Sequence, residues 1–166
     1  MKALSRLFIL LVLLGFLTSC GEKMTEQQMR AMALDYENKE QWEKAIETYE
    51  KILKTYKDSP KADETLYKLG SLYVNHKQDF EKSISIYKQL IEKYPQSQYA
   101  VKSAFMIGYW YANNIQDLDK AQQAYESFLE NYPDHELAAS VEWELNHLGQ
   151  DISSIELDLQ ADSLAN

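Results

Sequence analysis

Three stretches of the chain repeat one another at a fixed distance: EQWEKAIETYEKILKTYKDSPKA, QDFEKSISIYKQLIEKYPQSQYA and QDLDKAQQAYESFLENYPDHELA. Trp42, Phe80 and Leu118 lie 38 residues apart. The same spacing relates Tyr49, Tyr87 and Tyr125, then Tyr56, Tyr94 and Tyr132, and the small residues Ala45, Ser83 and Ala121. Self-similarity at such a period means that one short unit stacks on copies of itself, because a unit of that size cannot bury its apolar face alone. A second pattern precedes each stretch: MRAMALDYENKE, LYKLGSLYVNHK and FMIGYWYANNI. Apolar residues in both recur at i, i+3, i+4 and i+7, the helical period, and no segment alternates at period two long enough to make a strand. The sequence therefore predicts an all-α array of antiparallel helix pairs, A then B in each unit. Ser59 and Pro60 are expected as N-cap and first residue of the second A helix. HELAASVEWELNHLG is expected to form a fourth, unpaired A helix that Gly149 ends and that covers the last apolar face.

The unit resembles the tetratricopeptide repeat, whose pattern is W-x₂-L-G-x₂-Y…A-x₃-F…P. Leu69-Gly70-x₂-Tyr73 matches it directly, and Ile107-Gly108-x₂-Tyr111 and Met32-Ala33-x₂-Tyr36 match with conservative changes. The A-x₃-F element appears as Ala45/Tyr49, Ser83/Tyr87 and Ala121/Tyr125, with Pro95 and Pro133 after two of the B helices. The resemblance implies a right-handed superhelical array of about three repeats plus a capping helix, over residues 25–149, that acts as a protein-interaction scaffold. It also implies a partner groove lined by helix A. The matching positions there carry Tyr67, Phe105 and Trp143 in one row, Ser71 and Tyr109 in the next, and Asn75 and Asn113 near the helix ends. Large rigid rings make good interface anchors, so these seven residues are the candidate site. The asparagines have a second reading: they tolerate the left-handed conformation and would stop each A helix where the family usually has glycine. The family's clamp for C-terminal carboxylates pairs Lys and Asn on helix A. Here those positions are mostly aromatic, so that ligand is not implied.

Ahead of the repeats, LFILLVLLGFLTSCGEK places the only cysteine, Cys20, directly behind the only long apolar run. That run, Leu7–Leu17, is far short of the ~20 residues that span a bilayer. Lys2 and Arg6 in front complete a secretory signal over residues 1–19. Leu17-Thr18-Ser19-Cys20 resembles the lipobox of bacterial lipoproteins, which implies a covalent diacylglycerol and an N-acyl lipid on Cys20 as the only non-protein groups. A lone thiol in an oxidising compartment has no disulfide partner, and two or three acyl chains hold a protein stably where one does not. Gly21 lacks the aspartate that retains enteric lipoproteins in the inner membrane, which implies the outer membrane, facing the periplasm. Residues 20–24 would be a short tether, and the acidic tail 150–166 is expected to have no structure of its own.

Losing Lys2 and Arg6 with residues 1–19 takes the net charge from −9 to −11. That balance argues against nucleic acid and against a polybasic grip on lipid. His76, His135 and His147 are not spaced as metal ligands, and no G-x-S-x-G, H-E-x-x-H, phosphate loop or CxxC occurs, so neither a metal site nor a catalytic constellation is predicted. A lipid-anchored array of this kind is similar to outer-membrane assembly lipoproteins of the BamD type and to the repeat region of Tol–Pal-associated proteins of the CpoB type. The expected function is a membrane-anchored scaffold for protein partners of the cell envelope, in outer-membrane protein assembly. The alternatives are a Tol–Pal or cell-division adaptor, or a lipoprotein that captures a peptide or small molecule. The oligomeric state stays open.

Overall fold

A computed structural model describes residues 23–150, so the expected signal segment, Cys20 and most of the tail lie outside the described residues. Within them the chain forms seven α-helices: α1 (Glu26–Asn38), α2 (Trp42–Thr55), α3 (Ala62–Lys77), α4 (Phe80–Lys93), α5 (Gln98–Trp110), α6 (Leu118–Asn131) and α7 (Ala138–Asn146), with a π-helical turn, Tyr111–Ile115, closing α5. Each helix packs chiefly on its neighbours in the chain. The pairs α1/α2, α3/α4 and α5/α6 are the three expected A/B units, and α7 is the unpaired A helix. The fold is the all-α helix-pair array that the repeat predicted.

The B helices show why 38-residue periodicity is a packing instruction. Ala45, Tyr49 and Ile52, then Ser83, Tyr87 and Leu90, then Ala121, Tyr125 and Phe128 are buried at matching positions. Each small residue admits the partner helix, and the tyrosine four residues on lies flat against it. A Cβ added at Gly70 would come closer than 3.0 Å to ring carbons of Tyr87, and one at Gly108 would do the same to Tyr125. The glycines are therefore set by the tyrosine rings that lie over them. Ser83 Oγ adds a buried bond, donating to the Gly70 carbonyl at 2.8 Å.

The A-to-B turns correct the left-handed reading of the asparagines. Glu40, Gln78 and Gln116 take positive φ (56°, 52° and 60°), while Asn38 and Asn75 are helical and Asn113 sits in the π-helical turn. In the first repeat Glu40 closes a Schellman motif, with Gln41 N–H donating to the Tyr36 carbonyl at 2.8 Å and Glu40 N–H to the Glu37 carbonyl at 2.9 Å. The later repeats hold one more residue before this point. There the closing bond spans six residues, Asp79 N–H to the Tyr73 carbonyl and Asp117 N–H to the Tyr111 carbonyl. The added residue widens the last helical turn instead of lengthening a loop.

The B-to-A junctions correct two helix starts. Pro60 is not the first residue of α3, which begins at Ala62 with Lys61 as its cap. A tight turn comes first, in which Ser59 Oγ accepts from Lys61 N–H at 3.1 Å. Ser97 Oγ accepts from Tyr99 N–H at 3.1 Å, and His135 Nδ1 accepts from Leu137 N–H at 3.1 Å, so three residues 38 apart make the same turn with different chemistry. The last helix is shorter than the expected 135–149, because this turn uses residues 135–137 and His147 caps the other end; Gly149, at φ 77°, lies in the turn beyond. The two junction serines also reach back one repeat, Ser59 Oγ donating to Glu26 Oε1 and Ser97 Oγ to Asp63 Oδ2, both at 2.6 Å. The core divides into a large cluster running from Met29 to Ala121 and a smaller one of Val101, Tyr125, Phe128 and Val141 under α7.

The three crossing tyrosines differ at their hydroxyls. Tyr49 donates to Glu37, Tyr87 shares a 2.9 Å bond with Ser71, and the buried Tyr125 hydroxyl has no partner among the described residues. Burial, joined in Tyr49 by the Glu37 bond, pushes all three phenols up. Tyr125→Phe removes an unsatisfied buried group and is expected to leave stability unchanged or raise it by about 1 kcal/mol, whereas Tyr87→Phe should cost about 1 kcal/mol. Parallel thermal melts check the contrast.

Glu26 carries the pH dependence of the first junction. The Ser59 hydroxyl, then the Arg30 guanidinium 2.7 Å away, hold its carboxyl below the usual carboxylate range against an opposing burial effect. Its contribution is complete above the unfolded-state value of about 4.3 and is lost as pH falls through the lower folded value. Glu26→Gln should therefore shrink the stability lost on acidification below about pH 5, read from denaturant midpoints across pH 3–6.

Candidate functional site

The A-helix face carries two hollows. At the C-terminal end, α5 and α7 flank a hollow lined by Tyr109, Asn113, Gln116, Leu118, Trp143 and His147. Trp143 is 47% exposed and Tyr109 38%, the two most exposed aromatic side chains among the described residues. Trp143 stacks on His147 with centroids 4.4 Å apart, and His147 Nδ1 lies 2.7 Å from the Trp143 carbonyl, which fixes the pair as one flat surface. Asn113 Nδ2 donates to the Tyr109 carbonyl at 3.0 Å, leaving its side-chain oxygen open. At the other end, α1 and α3 flank a more charged hollow. Arg30 there bonds Glu26 and the Lys61 carbonyl (2.9 Å), Lys68 lies 3.8 Å from Glu37, and Leu34 is exposed.

Of the seven candidate residues, Tyr109, Asn113 and Trp143 come together in the C-terminal hollow. The others do not join them. Tyr67 is half-buried between Tyr87 (centroids 5.5 Å, nearly parallel) and Tyr99 (5.2 Å), so it is part of the packing. Ser71 spends its hydroxyl on Tyr87 and on the Tyr67 carbonyl. Phe105 does not line the hollow: its ring lies 6.3 Å from that of Tyr109 but is half-buried against the small core cluster. Asn75 is exposed near the end of α3, away from either hollow. Tyr67 and Phe105 are thus partly packed into the array: Tyr67 meets the rings of the following helices, whereas Tyr109 and Trp143 meet solvent.

Two features escaped the sequence reading. Gln116 enters the hollow from the turn before α6 and Leu118 from the first residue of α6, neither from an A helix. The second is a lysine placed over the consensus tyrosine of each repeat: Lys44 over Tyr36 (5.5 Å), Lys82 over Tyr73 (5.8 Å) and Lys120 over Tyr111 (5.3 Å). The signal was present, since these lysines are also 38 apart. Each cation ties the start of helix B to the ring of its own helix A. Tyr73 is pushed up to about 12, by burial first and then by the Glu50 carboxylate that accepts its hydroxyl at 2.9 Å.

A family profile for the tetratricopeptide repeat matches residues 29–59, 64–97 and 102–135. The chain belongs to the tetratricopeptide-repeat family. Each matched segment spans one helix pair with its A-to-B turn inside it, and the B-to-A junctions at Ser59, Ser97 and His135 fall at or next to the segment ends. No curated protein matches this tetratricopeptide protein. The family is one of protein-interaction scaffolds rather than catalysts. No helix among the described residues is long and apolar enough to cross a membrane.

Exposure separates the candidate rings by stability. Trp143→Ala and Tyr109→Ala should each cost less than about 1 kcal/mol, as exposed positions do. Tyr67→Ala, which opens a gap between two packed rings, should cost about 2 kcal/mol or more. Denaturant titration of the three variants checks the order.

Proposed function

We propose that this protein is a lipid-anchored interaction scaffold of the bacterial cell envelope, with Tyr109 and Trp143 as the anchors of its partner interface. The observation that carries the interface is the C-terminal hollow, where two exposed rings on facing A helices border an asparagine and a histidine-backed surface. Rigid aromatic anchors beside polar groups are what concentrates binding energy at protein interfaces. The envelope setting is supported by the Leu17-Thr18-Ser19-Cys20 string behind a short apolar run, with Cys20 acylated and the array tethered close to the periplasmic face of the outer membrane. Within that setting, a role in outer-membrane protein assembly is the most specific version. A Tol–Pal adaptor shares the same geometry and differs only in its partner.

Mass spectrometry of the membrane fraction is expected to find a chain beginning at Cys20 and carrying acyl groups; an unmodified soluble product would remove the anchor. In-envelope crosslinking and co-purification should recover a barrel-assembly partner. Tyr109→Ala with Trp143→Ala is expected to lower that recovery by tenfold or more, since one anchor alone is worth ~2 kcal/mol, while the melting temperature stays nearly unchanged. A Tol–Pal partner would select the adaptor reading. Full recovery with the folded double variant would move the interface off this face.

A further inference from the structure

The repeat register exposes a second surface, on the B-helix side. Between α4 and α6, with α5 as floor, lies a groove of about 490 Å³, within the range of ligand-sized clefts. Its lining includes Ile91, Ala104, Ile107, Ala124, Phe128 and Tyr132. The equivalent place one repeat earlier, between α2 and α4, is filled. There Leu66 stands for Ala104 and Ile86 for Ala124, and both are buried. Two four-carbon side chains have become methyl groups, while Leu90, replaced by Phe128, and Ser85, replaced by Gln123, change the other way. The groove is thus a departure from the repeat's own packing rule, held open at the two positions where that rule supplies bulk.

Its rim is basic. Lys88 from α4 and Lys120 from α6 bring their ammonium groups to 5.8 Å and 5.3 Å from the centroid of Tyr111. One repeat earlier the position of Lys88 is Glu50. Two acids temper the rim, Asp117 at 2.7 Å from Lys120 and Glu92 in the lining. Lys88 makes no ion pair among the described residues. An apolar floor under lysines suits a segment in which aliphatic side chains and carboxylates alternate.

We propose that the groove receives such a segment, and that the occupant is the chain's own Ile155-Glu156-Leu157-Asp158-Leu159. Its three aliphatic side chains match the space that Ala104 and Ala124 leave, and its two acids match Lys88 and Lys120. The path is short. Gly149 turns the chain beside Leu118, whose Cδ1 would lie 2.9 Å from a Cβ there. Lys120 and Ala124 follow on the same helix, about 9 Å from Leu118 at its far point. The five residue steps from Gln150 to Ile155 reach about 17 Å.

Disulfide trapping in the full-length chain carrying Cys20→Ser tests this. Leu157→Cys combined with Ala124→Cys should cross-link within one chain at least tenfold faster than Leu157→Cys combined with Gln122→Cys, an exposed position on the same helix with similar reach. Adding Glu156→Lys and Asp158→Lys, or separately filling the groove with Ala104→Leu, should return the first rate to the second. Equal rates at the two positions would overturn the proposal. So would cross-links formed only between chains, which would make a second copy the occupant, or a fast rate that neither charge reversal nor filling slows.

Discussion

Everything else in the array depends on a tyrosine ring lying where the neighbouring helix carries a glycine or an alanine. In two of the three pairs the ring comes so close that the helix beneath must give up its Cβ, and Gly70 and Gly108 do so beneath Tyr87 and Tyr125. The ring then acts as the filler of the crossing and as the link to what lies beyond, since Tyr87 also meets Tyr67 and Trp110. In the first repeat Ala33 replaces the glycine, and Tyr49 remains fully buried with its hydroxyl on Glu37. The crossing is therefore tolerant of a methyl group there. At Gly70 and Gly108 the ring sits too close for one.

Because the interior is assigned repeat by repeat, function has room only where a repeat departs from its neighbours. Tyr109 and Trp143 are exposed because, among the described residues, no further helix pair packs on α7. The groove between α4 and α6 is open because two alanines stand where the preceding repeat has leucine and isoleucine. Both surfaces lie in the C-terminal half of the array, on opposite sides of α5.

Architecture was legible in the sequence because periodic burial is a property of side chains, and the 38-residue spacing repeated it three times. The helix pairs and the close crossings at Ala45, Ser83 and Ala121 followed from it. Turn chemistry was less legible. Glutamate and glutamine rather than asparagine hold the left-handed positions, because hydrogen bonds to the preceding helix define the turn and outweigh the modest cost of a Cβ there. The start of α3 at Ala62 was missed for a similar reason: Ser59 caps a tight turn first. The candidate groove was half legible. Repeat position places rings in rows but cannot say whether a ring faces solvent or the next repeat, which separates Trp143 from Tyr67.

The reach-back bonds of the junction serines bear on how the array comes apart. Ser59 and Ser97 each fasten a new repeat to an acid of the one before. At the third seam His135 makes the same turn, but the residue in the place of Asp63 is Val101, which offers no acceptor. Among the described residues, the seam under α7 is closed by apolar packing without such a bond. In a linear stack, stability is a sum of units and the interfaces between them, so the weakest interface sets where opening begins. Fraying should start at α7, carrying Trp143 and His147 away from Tyr109 while the first two repeats stay folded. Amide exchange would then divide the molecule into a slow body and a fast terminal leaf, and a partner that bridges α5 and α7 would act as the missing clasp of that last seam.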